Sequence, residues 1–289
     1  MKLKLALPKG SLEEATYDLF RKAGFNVVPT SRSLYPNVDD DELEVVLYRP
    51  QEMSRYIEDG VVDCGITGLD WVMENDSDVL EVAELSYSKQ TTRPVRWVLA
   101  VHEDSKFKSI QDLKGKKIST ELINVTKNYL KKHKVDAEIE FSWGATEGKP
   151  PLLADAIVEA TETGSSLKAN RLKIIDTVLE STTRFVVNKK SNQDPWKRRK
   201  IDNLVLLLKG AMAARSKVGL KMNVAKKDLD GVIKILPALK KPTISNLSSD
   251  GWYDVETIID EKIVREIVPE LKKAGASGIV EYPLNKVIF

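Results

Sequence analysis

The run Asp155-Ala-Ile-Val-Glu159-Ala-Thr161-Glu162-Thr163-Gly164-Ser165-Ser166-Leu167-Lys168 decides how this chain is read. Residues 154–160 form a short apolar strand bracketed by two acids, and a loop of hydroxyls with one glycine carries that strand into a helix. Strand, tight loop and helix make the repeating half-unit of an α/β sheet. The same grammar recurs upstream. Residues 2–7 alternate polar and apolar, Pro8-Lys9-Gly10 breaks the strand, and Ser11 with Glu14 makes a capping box. Leu12, Ala15, Leu19 and Ala23 follow at helical spacing, and Gly24 supplies the stop. A strand at 43–48 passes through Arg49-Pro50 into a helix at 51–59, and 61–68 ends in glycines before a helix near Leu69. This alternation predicts a mostly parallel sheet covered by helices.

A polar break at 91–94 separates these units from strands at 95–101, 117–120 and 138–143, a helix around 125–132 and the opening run. Two lobes of similar plan fit residues 1–90 and 91–180. Pro195 opens a long helix at 196–214 whose Leu204, Leu207, Leu208 and Ala211 form an apolar stripe, so 181–214 reads as a return to the first lobe. Residues 215–289 read as strand, helix, two strands, helix, strand, the βαββαβ order of a ferredoxin-like module. It holds no catalytic-looking cluster, and by analogy with small modules of this plan a regulatory role is expected.

Composition narrows the chemistry. Lys and Arg number 45 against 43 Asp and Glu, a net charge of +2 that is too small to drive nucleic-acid binding by counterion release. The longest aliphatic run, 204–208, falls far short of the roughly 20 residues that span a bilayer, so no membrane role is expected. Lys2, Lys4 and Lys9 interrupt the apolar N-terminal segment, which argues against a signal peptide and for a cytoplasmic location. A lone Cys64 excludes an intramolecular disulfide and a thiolate-rich zinc site. His102 and His133 both lie in polar stretches, which leaves no histidine cluster and no Ser–His–Asp machinery. The chemistry therefore falls to carboxylates, Lys and Arg, hydroxyls, backbone amides and a borrowed cation.

The loop at 161–167 has the physics of an oxyanion cradle. Gly164 permits positive φ and close approach by a ligand, and successive amides at a helix N-terminus favour an anion. Thr163, Ser165 and Ser166 donate hydrogen bonds without bringing a charge, and the acids at the strand ends can hold Mg²⁺ through water or bond a ribose. The same residues also satisfy a well-capped turn with no ligand. The spacing is neither a Walker loop nor Gly-x-Gly-x-x-Gly. Lys9 and Arg49 stand at the C-terminal ends of two other strands, where open α/β sheets bind ligands. Asp70 sits in the first helical turn after Gly65-Ile-Thr67-Gly68, where its charge also complements the helix dipole. Four such strand exits on two lobes predict one cleft between them.

Pro8-Lys9-Gly10, Asp63-Cys-Gly65-Ile-Thr67-Gly68-Leu-Asp70, Gly144-Ala-Thr-Glu147 and Ala154-Asp155-Ala-Ile-Val-Glu159 fall in order along the chain. Thr163-Gly164-Ser-Ser166-Leu167-Lys-Ala-Asn170, Leu236-Pro237-Ala-Leu239-Lys-Lys-Pro242-Thr243 and Lys273-Ala274-Gly275-Ala276 complete the series. This ordered set resembles the ATP phosphoribosyltransferase family, in its long, self-contained form, over essentially the whole sequence. The resemblance implies an α/β fold with a bilobed, periplasmic-binding-protein-like catalytic part and a C-terminal ferredoxin-like regulatory domain. It also implies dimers and hexamers, and Mg²⁺-dependent condensation of ATP with phosphoribosyl pyrophosphate (PRPP) through adenine N1, inhibited by L-histidine. By the same resemblance Lys9, Arg49, Asp70 and Asp155 are catalytic, with Asp70 and Asp155 near Mg²⁺. Glu159, Thr161, Glu162, Thr163, Gly164, Ser165, Ser166 and Leu167 then bind PRPP, and Lys9, Gly10, Ser11, Gly65, Thr67 and Gly68 bind the nucleotide. Asn223, Leu239, Thr243, Ala274 and Ala276 are the implied histidine pocket. Three residues depart from the family pattern: Ser11 stands where Arg usually follows Pro-Lys-Gly, Glu159 replaces the commoner Asp, and Asn223 stands near a frequent Asp. Two other readings stay open, a sensor that closes on an anion without catalysis and a phosphoribosyltransferase acting on another base.

Overall fold

Strand β1 (Leu3–Pro8) lies parallel to both β4 (Leu43–Tyr48) and β5 (Cys64–Gly68), and its Leu3, Leu5, Ala6 and Leu7 are fully buried. Between these strands run α1 (Glu13–Ala23), the short antiparallel pair β2 (Val27–Val28) and β3 (Asn37–Val38), and α2 (Pro50–Glu58). Helix α3 (Leu69–Glu74) and strand β6 (Leu80–Leu85) complete the first pass. These are features of a computed structural model that describes residues 1–30, 32–87, 94–237, 241–248 and 250–289. Helix α1 starts later than the Ser11/Glu14 capping box predicts: the Glu13 carboxylate accepts the Gly10 amide at 3.2 Å.

The second lobe contains β7 (Val95–His102), β8 (Lys117–Thr120), α4 (Ile123–His133), β9 (Glu138–Phe141), β10 (Ala156–Thr161), α5 (Ser165–Ala169) and β11 (Leu172–Ser181). Its sheet runs β11-β7-β10-β8-β9. Strand β12 (Thr183–Val187) then re-enters the first lobe, whose sheet reads β4-β1-β5-β12-β6. Both sheets are mixed, a correction to the mostly parallel expectation. Only Thr182 separates β11 from β12, which leaves no room for a helical crossover, and β12 pairs antiparallel with β5 and β6. The return to the first lobe is therefore made by β12, before helix α6 (Pro195–Ala214) begins.

Compact units divide the chain into Met1–Arg21 with Phe25–Val205, and Lys22–Gly24 with Leu206–Phe289, so the division falls inside α6. In the second unit β13 (Lys217–Ala225), α7 (Leu229–Ile235), β14 (Thr243–Asn246), β15 (Trp252–Asp260), α8 (Glu261–Lys273) and β16 (Ser277–Pro283) follow the βαββαβ order. The antiparallel sheet β14-β15-β13-β16 packs Leu220, Met222, Val224 and Val255 against Val232, Ile267 and Leu271 of the two helices.

The entry to β5 is pinned by a buried ion. Asp63 accepts the Lys4 amide at 2.9 Å, the Ser191 hydroxyl at 2.6 Å and the Lys197 ammonium at 2.6 Å. Burial opposes its charge, but Lys197, Ser191 and the Lys4 amide outweigh burial and hold the carboxyl below its ordinary value. A depressed folded-state pKa gives stability that is present above the unfolded value and lost as pH falls through the folded one. Asp63→Asn should therefore cost about 2 kcal/mol at pH 7, with the gap to wild type closing below about pH 4. Urea unfolding at the two pH values checks it.

Candidate active site

Because β1, β4 and β5 are parallel neighbours, their C-terminal ends open on one edge of the first lobe. That edge carries Lys9, Arg49 and Asp70, and the loop after β10 faces it across a cleft of about 470 Å³. Arg49 ends β4 in an extended conformation, with Pro50 starting α2 behind it. Gly10 adopts φ +113, and a Cβ there would also stand 3.2 Å from Arg49 Nη1. A side chain at position 10 would thus strain the backbone and crowd the guanidinium together. Ser11 lines the cleft without the charge an arginine would add.

The opposite wall is built of hydroxyls. Gly164, at φ +79, donates its amide to Thr161 Oγ1 at 2.7 Å, which closes the loop on itself. Thr163 Oγ1 and Ser165 Oγ lie 2.8 Å apart, and Ser166 Oγ donates to Glu147 Oε1 at 2.7 Å. Thr161, Glu162, Thr163, Ser165 and Ser166 line the cleft with Glu159 and Glu121. Burial raises the Glu159 carboxyl to about 7, helped by Glu147 and Glu121 and opposed by the Ala160 amide and Thr146. Burial raises Glu121 as well.

Several sequence-predicted residues lie elsewhere. Asp155 stands before the first residue of β10, accepting the Lys117 amide at 3.0 Å with Lys116 Nζ at 3.9 Å, and it does not line the cleft. Four extended residue steps separate it from Glu159 by roughly 13 Å, so the two bracketing acids cannot share one ligand. Gly65 is a packing glycine whose Cβ would meet Ala6 O at 2.9 Å, and buried Thr67 donates to Pro50 O at 2.9 Å. Leu167 anchors α5 in a cluster with Val98, Ala100, Ile157 and Leu172. Asp70 reaches the cleft, but Oδ2 accepts the Trp97 indole N–H at 2.7 Å and Oδ1 the Trp71 amide at 3.0 Å. Burial raises its carboxyl, and the bonds from Trp97, Ser181 and Trp71 oppose that shift. Among the described residues no group of three His, Cys, Asp or Glu side chains stands close enough to hold a metal.

In the second unit Ala276 is buried in the core, and Ser277 donates to the Asn223 carbonyl at 3.3 Å. Ala274 ends α8, while Thr243 is exposed on edge strand β14 with β15 between it and β13. Leu239 lies outside the described residues. Sequence reasoning missed Trp71, Tyr87, Trp97, Glu121 and the crossover residues Ser181, Thr182 and Thr183, all of which line the cleft. Trp71 could have been found, since it directly follows Asp70; Trp97 sits inside an apolar strand and gave no signal.

Two cations on one lobe face a hydroxyl-rich loop on the other, an arrangement that fits the phosphoribosyltransferase class. The family description ATP phosphoribosyltransferase matches residues 49–210, and that of the HisG C-terminal domain matches residues 214–286. The ATP phosphoribosyltransferase of Solibacter usitatus is 60% identical over 288 residues, spanning 100% of both chains. That of Chlorobaculum parvum is 57% identical over 286 residues, 99% of this chain and 97% of the relative. A chain of the solved ATP phosphoribosyl transferase (HisG:HisZ) complex from Thermotoga maritima aligns with TM-score 0.61 and 30% identity, over 72% of this chain and 98% of that one. This chain belongs to the ATP phosphoribosyltransferase family, in the long form that carries its C-terminal domain in the same polypeptide.

The raised Glu159 carboxyl has a measurable consequence. Between about pH 4.5 and 7 the folded chain keeps a proton that the unfolded chain releases, so stability falls as pH rises through that window. Glu159→Gln should match wild type at pH 4 and exceed it by about 2 kcal/mol at pH 8. Equal urea midpoints at pH 8 would contradict the shift.

Proposed function

We propose that this chain condenses ATP with PRPP in the first step of histidine biosynthesis, adenine N1 attacking C1′ and pyrophosphate leaving, and that L-histidine inhibits it through the C-terminal domain. The observation that carries the reading is a wall with two cations facing a hydroxyl-rich loop across one cleft. Family membership supplies the particular substrates. Hydroxyls at 161, 163, 165 and 166 suit the 5-phosphate, because they donate without an opposing charge. Lys9 and Arg49 suit the polyphosphate groups, and the half-buried Trp71 ring suits a purine.

Adenine N1 has a free lone pair and needs no strong base, which agrees with a described cleft lining that contains no histidine. The demanding step is ionisation at C1′ as pyrophosphate departs. Lys9 and Arg49 stabilise the charge that develops on the leaving group, and the two lobes hold N1 and C1′ in line. Glu159, once ionised, offers a negative charge to the cationic ribose. With no three-carboxylate site among the described residues, a Mg²⁺ would arrive with the substrate phosphates, and Glu159 at the cleft could hold it through water. Such an ion neutralises phosphate charge when bound. The reading extends to dimers and hexamers in the cytoplasm.

Mixing the protein with ATP, PRPP and Mg²⁺ should release pyrophosphate and yield an N1-substituted adenine chromophore. Release without ATP would favour another base, and no release under any condition would favour a non-catalytic sensor. Gly164→Val, at φ +79, should lower turnover at least ~100-fold while melting and histidine binding stay normal. Near-normal activity would overturn the loop assignment. Millimolar-scale histidine should suppress the wild-type rate, and a flat titration would remove the regulatory part.

A further inference from the structure

Helix α3 is six residues long and follows β5, yet both of its ends are bonded to the second lobe. At its start, Asp70 Oδ2 accepts the indole N–H of Trp97 in β7 at 2.7 Å. The Asp70 amide donates to Ser181 Oγ at 3.1 Å, and the Leu69 amide donates to Thr182 O at 3.0 Å, so α3 is tied to the crossover itself. In its middle, the Trp71 ring meets Trp97 edge to face, 6.0 Å between centroids, and packs on the second lobe's core. At its end, the Glu74 carboxylate accepts the Asn124 amide at 2.9 Å and the Val125 amide at 3.0 Å. Those amides open α4, whose N-cap residue Leu122 makes no side-chain cap, so a residue of the first lobe caps a helix of the second. The Asn124 side chain returns a bond to Glu74 O at 2.9 Å.

Gly68 gives an independent observation. Its φ is ordinary at −78, but a Cβ there would lie 1.9 Å from Asp70 Oδ1. The short aspartate cannot move aside without leaving Trp97, so glycine at 68 is required by where the carboxylate sits. Rotation of the lobes about the crossover would have to break these bonds and leave a buried carboxylate and the amides that open α4 without partners.

We propose that α3 is a fixed strut between the lobes, and that Asp70 is its positioning residue, which through Trp97 sets the spacing between the Lys9/Arg49 wall and the 161–166 loop. The cleft is thereby held at working width before substrate arrives and does not close by hinge motion. This role replaces the metal-ligand and catalytic roles for Asp70, and it rests on the reading that the two walls take the two substrates.

The full-length chain tests it with Asp70→Ala, Asp70→Asn, Gly68→Ala and Trp97→Phe. Asp70→Ala and Gly68→Ala should lower kcat at least 30-fold while affinity for ribose 5-phosphate, which lacks the pyrophosphate and engages only the 161–166 loop, changes less than threefold. Asp70→Asn keeps an acceptor for the indole and should recover kcat to within fivefold of wild type. Trp97→Phe should match Asp70→Ala, and the double variant should be no worse than either single one. An Asn variant as inactive as Ala beside a Trp97→Phe variant of normal kcat would make Asp70 a direct ligand and overturn the proposal. Normal kcat in every variant would overturn it too.

A second arm does not depend on turnover or on those variants folding. Cys64 is buried, so spin labels at Arg55→Cys and Lys127→Cys, both exposed and one on each lobe, report the interlobe distance in chains diluted with unlabelled protein. In the otherwise wild-type chain one distance is expected, moving by less than about 2 Å when PRPP or ATP is added. A larger shift would show closing lobes and overturn the strut. If no phosphoribosyl-ATP forms, the proposed function fails, while this distance still decides the strut.

Discussion

The first lobe is incomplete until the second has been made. Strand β12 occupies the gap between β5 and β6, where Phe185, Val186 and Val187 are fully buried, and it arrives only after β7 to β11. Without it β5 would present an open edge and β6 would have no partner in the sheet. Everything that defines the cleft follows from this insertion. It fixes the crossover at Thr182, brings Ser181 and Thr183 beside α3, and lets Thr183 donate to Tyr87 O at 2.9 Å on the other crossing segment. A lobe that closes through a later strand cannot fold as an independent early unit, so the two lobes share one cooperative structure.

The division of labour in the cleft has the same origin. Parallel strands end on one edge, so three loops of the first lobe deliver their side chains to one wall. The second lobe contributes mainly the exit of β10, together with Glu121 beyond β8. Cationic groups thus collect on one wall and hydroxyls over carboxylates on the other, within a chain whose net charge is only +2. On the proposed function, phosphate would be recognised by these local groups and not by an overall field.

Much of this was legible in the sequence because punctuation marked it. Gly10, Gly24, Pro50, Gly68 and Gly164 each stand where an element starts or stops, and the βαββαβ order of the last unit reads directly from its alternating runs. The change of lobe was placed near residue 181, beside Thr182, but strands β11 and β12 themselves were not legible, since β11 passes into β12 with no glycine or proline between them. The placement of Asp155 was misread for a different reason. Strand geometry sends the two ends of β10 in opposite directions, and only the C-terminal end reaches the cleft. Asp70 was found for its position, but its partner Trp97 lies 27 residues away in the other lobe, and periodicity carries no information about such a pair.

The choice of hydroxyls over cations in the 161–166 loop can be argued from what lies beneath it. Glu121, Glu147 and Glu159 approach one another closely enough that burial and mutual repulsion raise Glu159 to about 7. A lysine or arginine in the loop would pair with these acids, and its charge would be spent inside the protein before a phosphate arrived. Serine and threonine avoid that loss, because a hydroxyl bonded to a carboxylate can turn its proton to a phosphate at small cost. Ser166, now donating to Glu147, is placed to make that exchange. The acids in turn lose a hydrogen bond at the moment a phosphate brings more negative charge, which favours a proton or a cation entering with the ligand. On the proposed reading, a loop of this composition over these acids would couple anion binding to cation or proton uptake, while the Lys9/Arg49 wall across the cleft contains no such acidic cluster among its described lining residues.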